Sequence, residues 1–181
     1  MAKIYALLGP HASGKSTILN ILRERGFSSI ISHTTRTPKE NEQNGVDYHF
    51  ISKDEFFKLD LVEKSTYQGE YYGIAKSEIL GKMQKNRINF LLIDKNGFKQ
   101  LKKLLSNRVE SIYIMVDYVT MVERMLKRGE SNVNIKKQLE YAETNGEFDN
   151  WKICDHVVKN VLDLDIAIRQ IIAITDSPSK E

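Results

Sequence analysis

The sequence predicts a three-layer α/β fold: a central parallel sheet covered by helices on both faces, with a small β-rich lobe inserted in its first half. Three observations carry this. Short apolar runs alternate with segments of helical period along most of the chain. From Ser32 to about Tyr72 that alternation gives way to short strands and turns with little helix. The length of 181 residues suits one domain with a small insertion, and a hydrophobic fraction of 41% suffices for a core.

The elements follow in order. Lys3–Leu8 is an apolar strand stopped by Gly9-Pro10. From Lys15, the apolar residues Ile18, Leu19, Ile21 and Leu22 recur at helical spacing until Gly26. Phe27–Ile31 reads as a strand, and SHTTRTPKENEQNGVDY, with Pro38 and Gly45, as a loop. Within the lobe, Val46–Ile51 is an expected strand, Lys53–Leu59 a short helix and Leu61–Tyr67 a strand. The alternation then resumes, with a helix over Ile74–Asn86, a buried strand over Asn89–Ile93 ending at Asp94, and a helix over Phe98–Leu105. Ser111–Val116 is a strand and Val119–Lys127 a helix, and Arg128–Asn132 is a glycine-containing break. A long helix runs from Val133 to about Glu147, a strand over Ile153–Lys159, and an amphipathic helix over Leu162–Ile174 closes the chain. The last residues, 177–181, are expected to fray.

Composition excludes several classes. A net charge of +3, from 27 basic and 24 acidic residues, is too balanced to indicate nucleic acid as a partner. The single cysteine, Cys154, excludes an internal disulfide and fits a reducing compartment. No apolar run reaches membrane-spanning length, and the N-terminal MAKIYALLGP runs into a glycine loop without a cleavage site. The expected setting is cytoplasm, with neither membrane nor nucleic acid as a partner.

The stretch Gly9, Pro10, His11, Ala12, Ser13, Gly14, Lys15, Ser16 and Thr17 fits G-x-x-x-x-G-K-[ST]. It follows a strand and opens a helix, the context a P-loop requires. Such a loop turns successive backbone N–H groups onto phosphate oxygens, and the helix N-terminus adds its positive end. Lys15 sets an ammonium against the terminal phosphates, and Ser16 offers a hydroxyl to Mg²⁺. The stretch is therefore expected to bind a nucleoside triphosphate, ATP, with Mg²⁺ arriving on the nucleotide. His11 is expected to be a solvent-facing filler of the loop. His33, His49 and His156 show no metal-ligand spacing, so no site made of protein ligands alone is expected.

A phosphate loop serves hydrolases, switches and kinases alike, so the acceptor side decides. In the inserted lobe, Arg36 and Lys39 lie close together, tyrosines stand at Tyr48, Tyr71 and Tyr72, and Glu63 sits between them. Cationic and phenolic donors suit a small anion. On composition alone, a solvated charged loop over a minor aromatic core is the favoured reading.

The order of these residues is more specific. SHTTRTPKENEQNGVDYHF, then EKSTYQGEYYGIAK, then FLLIDKNG resemble the guanylate kinase family, from Lys3 to about Ile174. The resemblance implies a P-loop nucleoside monophosphate kinase with a core over 1–31 and 75–176, a lobe binding the nucleoside monophosphate over about 32–74, and a mobile lid over about 124–145. It implies that Ser32, Arg36, Lys39, Tyr48 and Tyr72 hold the acceptor phosphate and that Glu63 reads guanine. A carboxylate accepts guanine's adjacent N1–H and N2–H₂ donors, and adenine offers no such pair. Asp94 matches the second acid of D-x-D-x-x-G and would contact the base or the magnesium-bound waters. Arg124 and Arg128 match R-x-x-x-R-G, which clasps the transferring phosphoryl group. With Lys15 they are the expected catalytic residues. Seen without the resemblance, they are helix-surface arginines four residues apart.

The departures are specific too. Ile74 stands where the family has Ser or Thr, a donor to the guanine carbonyl. Leu92 replaces the first acid of D-x-D, Gln138 an arginine that reaches the phosphates, and Asn145 a later glutamate. Lys39 in place of arginine loses the bidentate fork. Three functions fit: phosphoryl transfer from ATP to GMP or dGMP, transfer to another small phosphorylated acceptor, or a binding module of the same architecture without turnover. The intact GKS sequence argues against the third, and the first is the favoured reading.

Overall fold

The computed structural model describes residues 1–67 and 69–176. Its main sheet has five parallel strands: β1 (Lys3–Leu8), β2 (Ser28–Ser29), β7 (Ile88–Leu92), β8 (Val109–Met115) and β9 (His156–Lys159), in the order β2-β7-β1-β8-β9. Side chains of β1 alternate between the two faces, as strand period requires. Ile4, Ala6 and Leu8 join a core with Ile79, Met83, Phe98 and Leu101, from α3 (Lys76–Lys85) and α4 (Lys95–Leu105). Tyr5 and Leu7 join the opposite core with Ile18, Leu22, Ala167 and Ile171, from α1 (Lys15–Glu24) and α7 (Leu164–Asp176). Both faces are thus covered, as an all-parallel sheet demands.

A second sheet orders its strands β4-β3-β6-β5: β3 (His33–Thr34), β4 (His49–Phe50), β5 (Leu61–Tyr67) and β6 (Glu70–Ala75). Strands β5 and β6 form an antiparallel hairpin with a bulge between Leu61 and Glu63. The short helix α2 (Lys53–Phe56) starts at Ser52 with a reciprocal capping box to Glu55 and buries Phe56. Beyond β8 come α5 (Tyr118–Lys127) and α6 (Asn132–Thr144), each capped at its N-terminus by a side chain, Asp117 and Ser131. A small cluster of Ala12, Val116, Met121, Met125 and Ile135 packs these helices beside the glycine loop.

Several expected boundaries move, among them the start of α4, at Lys95 rather than Phe98, and the ends of α2 and α6, at Phe56 and Thr144. The helix expected over 74–86 begins at Lys76, because Ile74 and Ala75 finish β6, paired with Glu63 and Leu61. The strand expected over 46–51 shrinks to His49–Phe50, and that over 27–31 to Ser28–Ser29. Those pairs form the ladders, and beyond them only single bonds continue, the Ile30 N–H donating to the Phe90 carbonyl and the Ile51 N–H to the Thr34 carbonyl. The strand expected from Ile153 begins at His156, since Glu147–Ile153 winds as 3₁₀ turns. The expected frayed end, 177–181, lies outside the described residues. Among those described, no helix is long and apolar enough to cross a membrane.

Candidate active site

The glycine loop leaves β1 through two backbone positions that only glycine suits. Gly9 has φ +146, and a Cβ there would lie 2.6 Å from the Ile114 carbonyl oxygen. Gly14 has φ +96 and serves as the N-cap of α1; a Cβ there would lie 2.3 Å from Asn160 Nδ2. Between them Lys15 folds back: its Nζ donates to the carbonyls of Gly9 (2.6 Å) and Pro10 (2.8 Å). Burial pulls the Lys15 ammonium down to about 8; Glu147 opposes that shift and Arg128 adds to it. The side chains of Ser16 and Thr17 stand exposed on the first turn of the helix.

Arg124 and Arg128 part company. Arg124 lies behind the loop, donating from Nη1 to the Ala12 and Ser13 carbonyls, both at 3.2 Å, and from Nη2 to the Asn160 carbonyl at 2.8 Å. Asn160, itself buried, donates from Nδ2 to the Ser13 carbonyl at 2.8 Å. Arg128 is exposed and within electrostatic reach of Lys15 and His11. His11 is more than a filler: its Nε2 lies 3.2 Å from Glu130 Oε1, and Asn134 Nδ2 donates to Glu130 Oε2 at 2.6 Å. The loop is therefore tied to the start of α6.

On the second sheet, Arg36, Tyr48 and Tyr72 converge. The Arg36 guanidinium lies 5.5 Å from the Tyr48 ring centroid and 5.6 Å from that of Phe50, and Tyr48 meets Tyr72 at 5.9 Å. Arg36 is forked onto Glu42, with Nη1 donating to Oε2 at 2.8 Å and Nη2 to Oε1 at 2.9 Å. That hydrogen-bonded pairing holds the guanidinium above its ordinary range, against burial, and the neighbouring Tyr72 hydroxyl pushes the same way. The Lys39 side chain is exposed nearby, while its backbone N–H donates to the same Glu42. Ser32 gives its carbonyl to the His49 N–H and sits at the junction between the sheets.

Glu63 is 5% exposed and has no hydrogen bond or ion pair to a described residue. Its Oε2 lies so near Gly97 that a Cβ there would come within 2.8 Å of it. Burial pushes its carboxyl up to about 8, and the charge of Asp94 adds to this. Asp94 caps α4, accepting from the Gly97 N–H at 2.7 Å. Ile74, paired with Glu63 across the hairpin, is fully buried in the core and offers no hydroxyl. Leu92 packs against the apolar core of the main sheet. Gln138 meets the Tyr67 hydroxyl, and Asn145 caps the end of α6.

Glu147 links the two halves. It is within electrostatic reach of both Lys15 and Asp94, and burial raises its carboxyl above the ordinary range. Glu147 thus stands between the loop that carries Lys15 and Asp94, the neighbour of Glu63. Sequence reasoning missed Glu42, Glu147, Asn160 and Tyr67. Only Glu42 left a local trace, as the carboxylate closing R-x-x-K-x-x-E; the other three become neighbours through the fold alone.

A glycine loop at a parallel strand's C-terminal end, together with a cationic and phenolic cluster on a separate small sheet, is the architecture of the nucleotide kinase class of phosphotransferases. The family model described as guanylate kinase matches residues 1–176. The chain is 33% identical over 176 residues to the guanylate kinase of Cupriavidus metallidurans, covering 93% of this chain and 80% of that one. It is 31% identical over 175 residues to the guanylate kinase of Schizosaccharomyces pombe, covering 87% and 85%. The crystal structure of guanylate kinase from Anaplasma phagocytophilum superposes with a TM-score of 0.73 at 24% identity, over 96% of this chain and 84% of that one, which is a likeness of fold. The chain belongs to the guanylate kinase family.

Proposed function

We propose that the chain transfers the γ-phosphoryl group of ATP to the phosphate of GMP or dGMP, giving ADP and GDP or dGDP. The observation that carries this reading is Glu63: a buried carboxylate with no hydrogen bond or ion pair among the described residues, beside Asp94, which Glu147 in turn links electrostatically to Lys15. A buried acid left unpaired is costly unless a ligand completes it. Guanine's N1–H and N2–H₂ would complete it with two hydrogen bonds.

In this reading residues 32–74 act as the acceptor lobe and 124–145 as the lid, on a core of 1–31 and 75–176. The loop amides of residues 9–17 and Lys15 hold the ATP phosphates. Arg36, Lys39, Tyr48, Tyr72 and Ser32 hold the acceptor phosphate, with Arg36 sharing its fork between Glu42 and that phosphate. An oxygen of the acceptor phosphate forms a bond to Pγ as the bond from Pγ to the bridging oxygen of ADP breaks. No general base is needed, because the acceptor oxygen is already anionic. Arg128, exposed beside Lys15, stabilises the charge on the moving group, while Arg124 keeps the loop in shape from behind. Among the described residues no cluster of His, Cys, Asp and Glu suits a metal. A hard oxygen donor on the first helical turn, Ser16, does fit Mg²⁺ shared with phosphates. When bound, that ion neutralises phosphate charge.

The reading is tested by ADP release across GMP, dGMP, AMP, CMP, UMP and ribose bisphosphate. Turnover confined to the guanine nucleotides supports it. A second reading, another phosphorylated acceptor, draws on Ile74 and would show as turnover with a different member of the panel. Tight GMP binding with no turnover at all would point to a binding module.

A further inference from the structure

Where α6 meets the β5–β6 hairpin, three side chains join two parts of the chain that are distant in sequence. Tyr67, the last residue of β5, places its hydroxyl 3.3 Å from Gln138 Oε1 and 3.2 Å from Gln138 Nε2. Its ring meets the Tyr141 ring edge-on, at 5.2 Å and 85°. Gln138 and Tyr141 are three residues apart on α6 and so share a face. Gln138 is 9% exposed, well buried for a primary amide, so its hydrogen bond matters more than a surface contact would. Strand β5 also carries Glu63, four residues before Tyr67. At the other end of α6, Glu130 holds His11 of the phosphate loop.

We propose that Gln138 and Tyr67, backed by Tyr141, are positioning residues: an uncharged clasp that closes the lid on the acceptor lobe through protein groups alone. This rests on the division into lid and lobe made above. The physical consequence is specific. An arginine on this face would draw lid and lobe together through phosphate charge, and such an attraction weakens as salt screens it. An amide–phenol pair with an aromatic edge contact carries no net charge, so closure here is insensitive to ionic strength. The clasp also ties lid position to β5, and hence to the carboxylate at Glu63.

The test uses the full chain with Cys154→Ser and labels on cysteines introduced at Lys58 in the lobe and Lys137 on α6, both exposed. The distance distribution between labels is recorded at low and high salt, with steady-state kinetics on the unlabelled proteins. Tyr67→Phe, which keeps the ring and removes only the hydroxyl, is expected to lengthen or broaden the distribution. It should also raise the acceptor KM roughly three- to tenfold, the effect of one neutral hydrogen bond, with the ATP dissociation constant unchanged. Wild-type distances should not change with salt, whereas Gln138→Arg should make both distance and acceptor KM salt-dependent. A Tyr67→Phe distribution and acceptor KM identical to wild type would overturn the clasp, as would wild-type distances that open with salt. The distance measurement needs no turnover. A chain that shows the clasp yet phosphorylates no guanine nucleotide would therefore sink the proposed function and leave the clasp standing.

Discussion

Arg124 and Asn160 brace the phosphate loop from behind: Arg124 Nη2 donates to the Asn160 carbonyl, and Asn160 Nδ2 donates to the Ser13 carbonyl, each at 2.8 Å. Two residues 36 positions apart thereby satisfy main-chain acceptors of a loop whose own N–H groups must stay available for phosphate.

Arg124 and Arg128 should therefore separate on mutation. Arg124→Ala removes three hydrogen bonds to carbonyls and is expected to cost about 1–3 kcal/mol of stability, with weaker ATP binding. Arg128→Ala, at an exposed position, should leave the denaturant midpoint unchanged while lowering kcat about 10²–10³-fold. Denaturant titration beside single-substrate kinetics checks both; matching stability losses would mean that Arg128 is structural.

The Lys15 and Glu63 titrations should tilt the pH profiles of the two substrates in opposite directions. Lys15, lowered to about 8, loses its charge as pH rises, so kcat/KM for ATP should fall above about pH 8. Glu63, raised to about 8, becomes the ionised acceptor of two donors over the same range, so kcat/KM for GMP should climb toward that pH. Glu63→Gln should flatten the GMP limb only, and Lys15→Met should lower kcat about 10²–10³-fold at every pH. The sign for stability follows from the raised folded value. Glu63's contribution is fully present below its ordinary 4.5 and is lost as pH rises through about 8. Glu63→Gln is accordingly expected to melt higher than wild type at alkaline pH and alike at acid pH. A melting difference of the opposite sign would show that the carboxylate is paired.

Ile74→Thr should trade stability for base selectivity. The side chain is fully buried, so a hydroxyl there without a protein partner is expected to cost about 1–3 kcal/mol. If position 74 faces the base edge, the same hydroxyl should raise the ratio of GMP to AMP turnover. Stability loss with an unchanged ratio would remove position 74 from the acceptor site.

Arg36→Lys should raise the acceptor KM about tenfold. The forked pair with Glu42 and the stacking on Tyr48 and Phe50 both need a planar guanidinium. ATP affinity should not move; isothermal titration with each nucleotide separates the two.

Much of this was legible locally. The run GPHASGKST following an apolar strand announces its loop, because strand, glycines and helix start occupy consecutive residues. The alternation of Tyr5 and Leu7 against Ile4, Ala6 and Leu8 already sorts two cores. The β5–β6 hairpin was less visible. Ile74 and Ala75 carry the apolar character that opens a helix equally well, and only the pairing with Leu61 and Glu63 decides for strand. His11 looked like a filler because Glu130 lies 119 positions away.

By itself the sequence determined the layered α/β plan, the glycine loop with Lys15, and the residue order shared with the guanylate kinase family, since periodicity and consecutive motifs are written in neighbouring residues. Tertiary structure alone decided that Arg124 lies behind the loop while Arg128 stands exposed, that Glu63 is buried with Asp94 for a neighbour, and that Gln138 meets Tyr67. Those facts depend on which distant segments pack together, and burial and pairing energies arise only once they do.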